Sequence, residues 1–114
     1  MQYIALIHAD ENGWEELGDE ERQAIYQRYM DFSEKEQVVG GAELQDTDSA
    51  TTVRVRNGDR LVTDGPYAEV KEALGGFFIL ECNSIDDACQ LAAEIPAAER
   101  GAVEVRPVVV REES

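Results

Sequence analysis

His8 is the single histidine of the 114-residue chain, and the one side chain whose ordinary titration falls near neutrality. Such a group can take and return a proton if a carboxylate orients it and a cation holds the reacting molecule. The sequence offers those partners in two groups. Asp64, Tyr67, Glu69 and Lys71 lie in the stretch Asp64-Gly65-Pro66-Tyr67-Ala68-Glu69-Val70-Lys71-Glu72, with Arg54 shortly before it. Glu104 and Arg106 stand two residues apart, so an extended strand would put them on one face. In one reading His8 is the general acid/base and Asp64 orients it. Arg54, Lys71 and Arg106, with Tyr67, Glu69 and Glu104 beside them, then hold an anionic or carbonyl-bearing ligand. In the other reading the loop charges sit in water, Glu104 pairs with Arg106 or Arg54, and His8 caps a strand end.

Other chemistries are poorly supplied. Cys82 and Cys89 form no CxxC pair, and one histidine with two distant cysteines does not make a zinc site. Both cysteines are expected as core residues in a reducing compartment. Gly75-Gly76 precedes a strand rather than following one, so no phosphate-cradling loop is expected. No metal and no cofactor is expected. The net charge of −15, from 25 acidic against 10 basic residues, repels phosphate backbones and argues against nucleic acid as a partner. There is no long apolar run and no charged-then-apolar leader, which predicts a cytoplasmic chain with no membrane partner. Of the cations only Lys35 and Lys71 are lysines. Many carboxylates with few lysines suit a surface adapted to high salt, where counterions screen self-repulsion. The melting temperature is therefore expected to rise between low and molar KCl, and a flat response would refute the adaptation.

The elements that must position these groups follow from periodicity. Residues 2–9 read as a strand in which Tyr3/Ala5/Ile7 and Ile4/Leu6/His8 are both largely apolar. A strand covered on both faces reads this way, by helices on one side and by a partner subunit on the other. Residues 10–18 are a polar connection, with Trp14 expected beside the first helix. Asp19 as N-cap opens a helix to near Val38, with Ile25, Tyr29 and Phe32 at helical spacing and Gly40 or Gly41 ending it. A strand follows over 42–44, then two β-rich runs over 51–56 and 60–63 joined at Asn57-Gly58, a strong hairpin signal. Asp64-Gly65-Pro66 stops the second run. Residues 76–82 read as a buried strand. Ser84 opens a second helix whose inward stripe is Ile85, Ala88, Leu91, Ala92 and Ile95, and Pro96 ends it. The last strand spans 103–110, with Pro107 marking an edge or bulge. The order is the split βαβ pattern with an inserted hairpin, in a single α+β domain over residues 1–114.

Particular segments resemble a DGPF-type member of the YCII-related family. They are the start Tyr3-Ile4-Ala5-Leu6-Ile7-His8-Ala9-Asp10-Glu11, then Gly41-Ala42-Glu43-Leu44 and Thr51-Thr52-Val53-Arg54. Thr63-Asp64-Gly65-Pro66-Tyr67-Ala68-Glu69, Lys71-Glu72, Gly75-Gly76-Phe77 and residues 101–107 follow in order, with Tyr67 at the signature phenylalanine. The resemblance implies a ferredoxin-like fold that pairs as a homodimer, a dimeric α+β barrel closing a cavity for a small molecule. It also implies an alternative, a non-catalytic regulatory protein that partners an extracytoplasmic-function sigma factor. Relatives in the wider family carry a His/Asp pair proposed as catalytic, with the histidine on the first helix. No histidine falls between Asp19 and Val39, so that pair does not carry over to this chain.

Overall fold

A computed structural model describes residues 1–111. Strand β1 (Gln2–Ala9) leads through a short helix α1 (Glu11–Glu15) to the long helix α2 (Asp19–Ser33). Strand β2 (Val38–Glu43), a 3-10 turn (Thr47–Ser49) and strands β3 (Thr51–Arg56) and β4 (Asp59–Asp64) follow. The chain ends with β5 (Ala73–Glu81), α3 (Ile85–Ala92), α4 (Ala97–Arg100) and β6 (Ala102–Pro107). Four strands form an antiparallel sheet in the order β2-β5-β1-β6, while β3 and β4 form a separate two-stranded sheet. With the hairpin set aside, the four strands of the main sheet have the ferredoxin-like order, and the sheet of one chain stays open rather than closing as a barrel.

The apolar alternation of β1 decides which face is buried. Tyr3, Ala5 and Ile7 meet Leu80, Phe32 and the inward side of α3 in one core cluster. The Phe32 and Phe78 rings lie 4.9 Å apart, and Tyr29 stacks near Phe78. The other set, Ile4, Leu6 and His8, is only half-buried. Ile4 lies opposite Ile79 and Leu6 opposite Phe77, so these four apolar side chains share the face away from the helices. Among the described residues nothing finishes covering what the sequence reads as a two-sided strand.

The hairpin turns at Asn57-Gly58 with φ of 54° and 82°, both left-handed, as a two-residue turn between twisted strands requires. Ser84 caps α3 by accepting a hydrogen bond from the Asp87 amide. Trp14 packs edge-on against Tyr26 of α2, 5.2 Å between centroids.

Several expectations are corrected. Residues 11–15 are helical rather than a plain connection, because the Asp10 carboxylate caps the Asn12 amide. Gly18, not Asp19, is the N-cap of α2, and that helix ends at Ser33. The next strand begins at Val38, which the sheet takes to pair with Leu80. Gly40 and Gly41 lie within this strand. A Cβ at Gly41 would sit 2.6 Å from the Phe77 carbonyl oxygen, so close approach of β2 to β5 explains the residue. Ile85, at 43% exposure, is not part of the inward stripe. Cys82 is buried as expected, and burial pushes its thiol up, which keeps it protonated and inert. Cys89 is exposed on α3 and is not a core residue. The last strand stops at Pro107, on the sheet edge.

Candidate functional site

Strands β1 and β6 pair with Leu6 opposite Glu104 and Ile4 opposite Arg106. The alternation of both strands therefore places His8, Glu104 and Arg106 on the open face, beside the apolar Ile4, Leu6, Phe77 and Ile79. A register shift between Ile7 and His8 in the β1–β5 pairing marks where β1 turns away from the regular ladder. Gly101 lets β6 approach at the same point, because a Cβ there would overlap the His8 carbonyl oxygen.

The three polar groups form a short relay. Arg106 Nε donates to Glu104 Oε2 at 2.7 Å. The other carboxylate oxygen, Oε1, lies 3.4 Å from His8 Nε2. That nitrogen is shielded from solvent and makes no aligned hydrogen bond among the described residues, although the His8 side chain as a whole is 29% exposed. The hydrogen bond from Arg106 and then its charge hold the Glu104 carboxyl below the usual carboxylate range, with a smaller contribution from His8. A carboxylate beside an imidazole fixes which ring nitrogen carries a proton. The arrangement suits a proton-transfer group or an anion-binding cation.

Because the folded Glu104 titrates below its unfolded value, its contribution to stability is present above the ordinary carboxylate range. It fades as pH falls through the lowered folded value. Arg106→Gln is expected to raise the Glu104 titration toward that of an ordinary carboxylate. Carboxyl-carbon NMR against pH reads this directly, and an unmoved midpoint would remove Arg106 as the cause.

The other predicted residues lie elsewhere. Asp64 ends β4 in the separate hairpin sheet and is exposed, with no side-chain hydrogen bond or ion pair among the described residues. The carboxylate that touches His8 is Glu104. Arg54 and Tyr67 come together, with the guanidinium 5.5 Å from the ring centroid. Thr52 Oγ1 donates to the Gly65 carbonyl, and the Gly65 amide donates to Ala50, which ties the loop to the hairpin base. Glu69 lines a depression of about 360 Å³ with Thr47, Asp48, Pro66, Ala68, Val70 and Ala73. Lys71 is exposed and forms no ion pair among the described residues. Glu11 was not foreseen. Its carboxylate accepts from the Thr47 amide at 2.7 Å and from the Thr47 hydroxyl at 2.9 Å, fixing the rim of that depression. A contact across 36 residues leaves no periodic signal in the sequence.

A ferredoxin-like α+β chain with a histidine–carboxylate–arginine row on an uncovered sheet face is the class that fold and site define. Its family model is that of the YCII-related domain, which matches residues 1–112, and the chain belongs to that family. It is 34% identical to an uncharacterised protein of Rhizobium meliloti (strain 1021) over 119 residues, 96% of this chain and 94% of the relative. No helix among the described residues is long and apolar enough to cross a membrane.

Proposed function

We propose that two copies pair through their open sheet faces and enclose a polar pocket for a small anionic or carbonyl-bearing molecule. His8 serves there as general acid/base, Glu104 orients it, and Arg106 neutralises Glu104 and faces the ligand. The observation that carries this reading is the shielded His8 Nε2, without an aligned hydrogen bond, 3.4 Å from a carboxylate that Arg106 keeps ionised. Buried polar atoms without partners are uncommon, and they gather where a ligand or reaction supplies the partner. The half-buried apolar side chains around the row would lower the local dielectric once covered, which strengthens such polar contacts. Tyr67, Glu69 and Lys71 belong in this reading to the loop at the pocket rim, with Arg54 reaching the Tyr67 ring from the hairpin.

The test is a thermal-shift panel of small carboxylates and carbonyl compounds on the wild type, His8→Asn and Arg106→Gln. At least one compound should raise the wild-type melting temperature, and both variants should lose most of that rise. No stabilising compound, or equal stabilisation of His8→Asn, would defeat the proposal.

The second reading is a regulatory partner of an extracytoplasmic-function sigma factor. It is favoured by the acidity of the chain, net −15, which suits a basic protein surface. Affinity capture with the full chain from its native source separates the two, and recovery of no sigma factor removes this one.

A further inference from the structure

The β3–β4 hairpin stands apart from the main sheet, in a molecule whose Cα envelope is 50 × 46 × 19 Å. An isolated two-stranded hairpin is marginal in water unless something covers a face. Its register sorts the side chains cleanly. One face carries Thr52, Arg54, Arg56, Asp59, Leu61 and Thr63, with Arg54 under Tyr67. The other carries Thr51 opposite Asp64, Val53 opposite Val62, and Val55 opposite Arg60. Every residue of this second face is exposed, and Val53, Val55 and Val62 stand at 60%, 61% and 57%. Neither Arg60 nor Asp64 has an ion pair among the described residues.

That pattern is complementary to itself. Arg60 lies at the tip end of β4 and Asp64 at its base, about 13 Å apart along the strand, with Val62 midway. A two-fold axis through Val62, lying in the contact plane across the strands, sets the face on its own copy with tip over base. Val62 then meets Val62 and Val53 meets Val53, while Arg60 of each copy lies over Asp64 of the other. A two-fold contact requires this reciprocity. The geometry points to the valine face of the hairpin as a surface that packs on the same face of a second copy.

The valines supply the burial and the two Arg60–Asp64 pairs set the register, since a two-fold axis running along the strands would set Arg60 over Val55 and Asp64 over Thr51 and pair no charges. The hairpin is also the place where an acidic chain can approach itself. Its strands carry Arg54, Arg56 and Arg60 against Asp59 and Asp64, and the valine face itself one charge of each sign, in a chain of −15 overall. The patch is smaller than a stable interface needs, so it adds to the sheet-face pairing proposed above rather than replacing it.

Cross-linking at the axis tests this. In a Cys89→Ser background, which removes the exposed native thiol, Val62→Cys is oxidised with oxidised glutathione at moderate salt. A covalent dimer is expected. Adding Arg60→Asp should cut its yield at least tenfold, and adding Asp64→Arg to that variant should restore it, because the charges again oppose. No covalent dimer, or one indifferent to Arg60→Asp, overturns the contact. Sedimentation of the same samples separates the two proposals. Oxidised samples that give no covalent dimer yet still sediment as dimers refute the hairpin contact alone, whereas Val62 cross-links between chains that otherwise sediment as monomers refute the sheet-face pairing alone.

Discussion

Gly101→Ala is expected to destabilise the chain by about 3 kcal/mol, at the upper end of what an overpacked side chain costs. The added Cβ would overlap the His8 carbonyl oxygen and lie 3.0 Å from the Ala9 Cα. Both are backbone atoms of a central strand, so no side chain can swing aside. β6 must retreat from β1 where Glu104 approaches His8. In a domain of this size the loss corresponds to a fall in melting temperature of roughly 10 °C. The same movement should return the Glu104 titration to depend on Arg106 alone. Gly13→Ala is the control, because a Cβ there meets nothing within 4 Å and the residue lies in α1. It should leave stability unchanged or raise it slightly. Equal effects of the two substitutions would refute the account of how β6 is positioned.

Ile79→Glu is expected to weaken the proposed sheet-face pairing at least a hundredfold while leaving the fold intact. Ile79 lies opposite Ile4 and Gly40 on the open face, where no cation stands directly across from it. In one chain the site is half-exposed, so a carboxylate there can reach water. Between two copies it would be buried unpaired, which costs several kcal/mol. Since about 1.4 kcal/mol is tenfold in affinity, pairing should weaken at least a hundredfold. Sedimentation velocity over a concentration series measures this, with far-UV circular dichroism to verify the fold. A variant that pairs like the wild type would mean that another surface carries the contact.

The sequence made the strand faces legible and the boundaries less so. Period-two alternation in β1 and β6, with their adjacency in the split βαβ order, was enough to put His8, Glu104 and Arg106 on one face. Asn57-Gly58 located the hairpin, and Ser84 located the start of α3. The end of α2 was obscured because Glu34, Lys35, Glu36 and Gln37 are all compatible with helix, and only the demand of the sheet for Val38 stops it. Helix α1 was hidden by its length of 5 residues and its polar composition. Asp64 was drawn toward His8 by the chemistry of the loop. Sequence could not show that its strand pairs only with β3, outside the main sheet. Cys89 and Ile85 were misplaced because the inward stripe of α3 is narrower than the run of apolar residues suggests.

Sedimentation equilibrium of the wild-type chain at neutral pH and moderate salt bears most directly on the proposed pocket. A mass of twice the 12.7 kDa chain, falling to one chain in Ile79→Glu, is the result expected if the open faces meet. A wild-type mass of a single chain across the concentration range would leave His8, Glu104 and Arg106 on a wet surface and contradict the pocket.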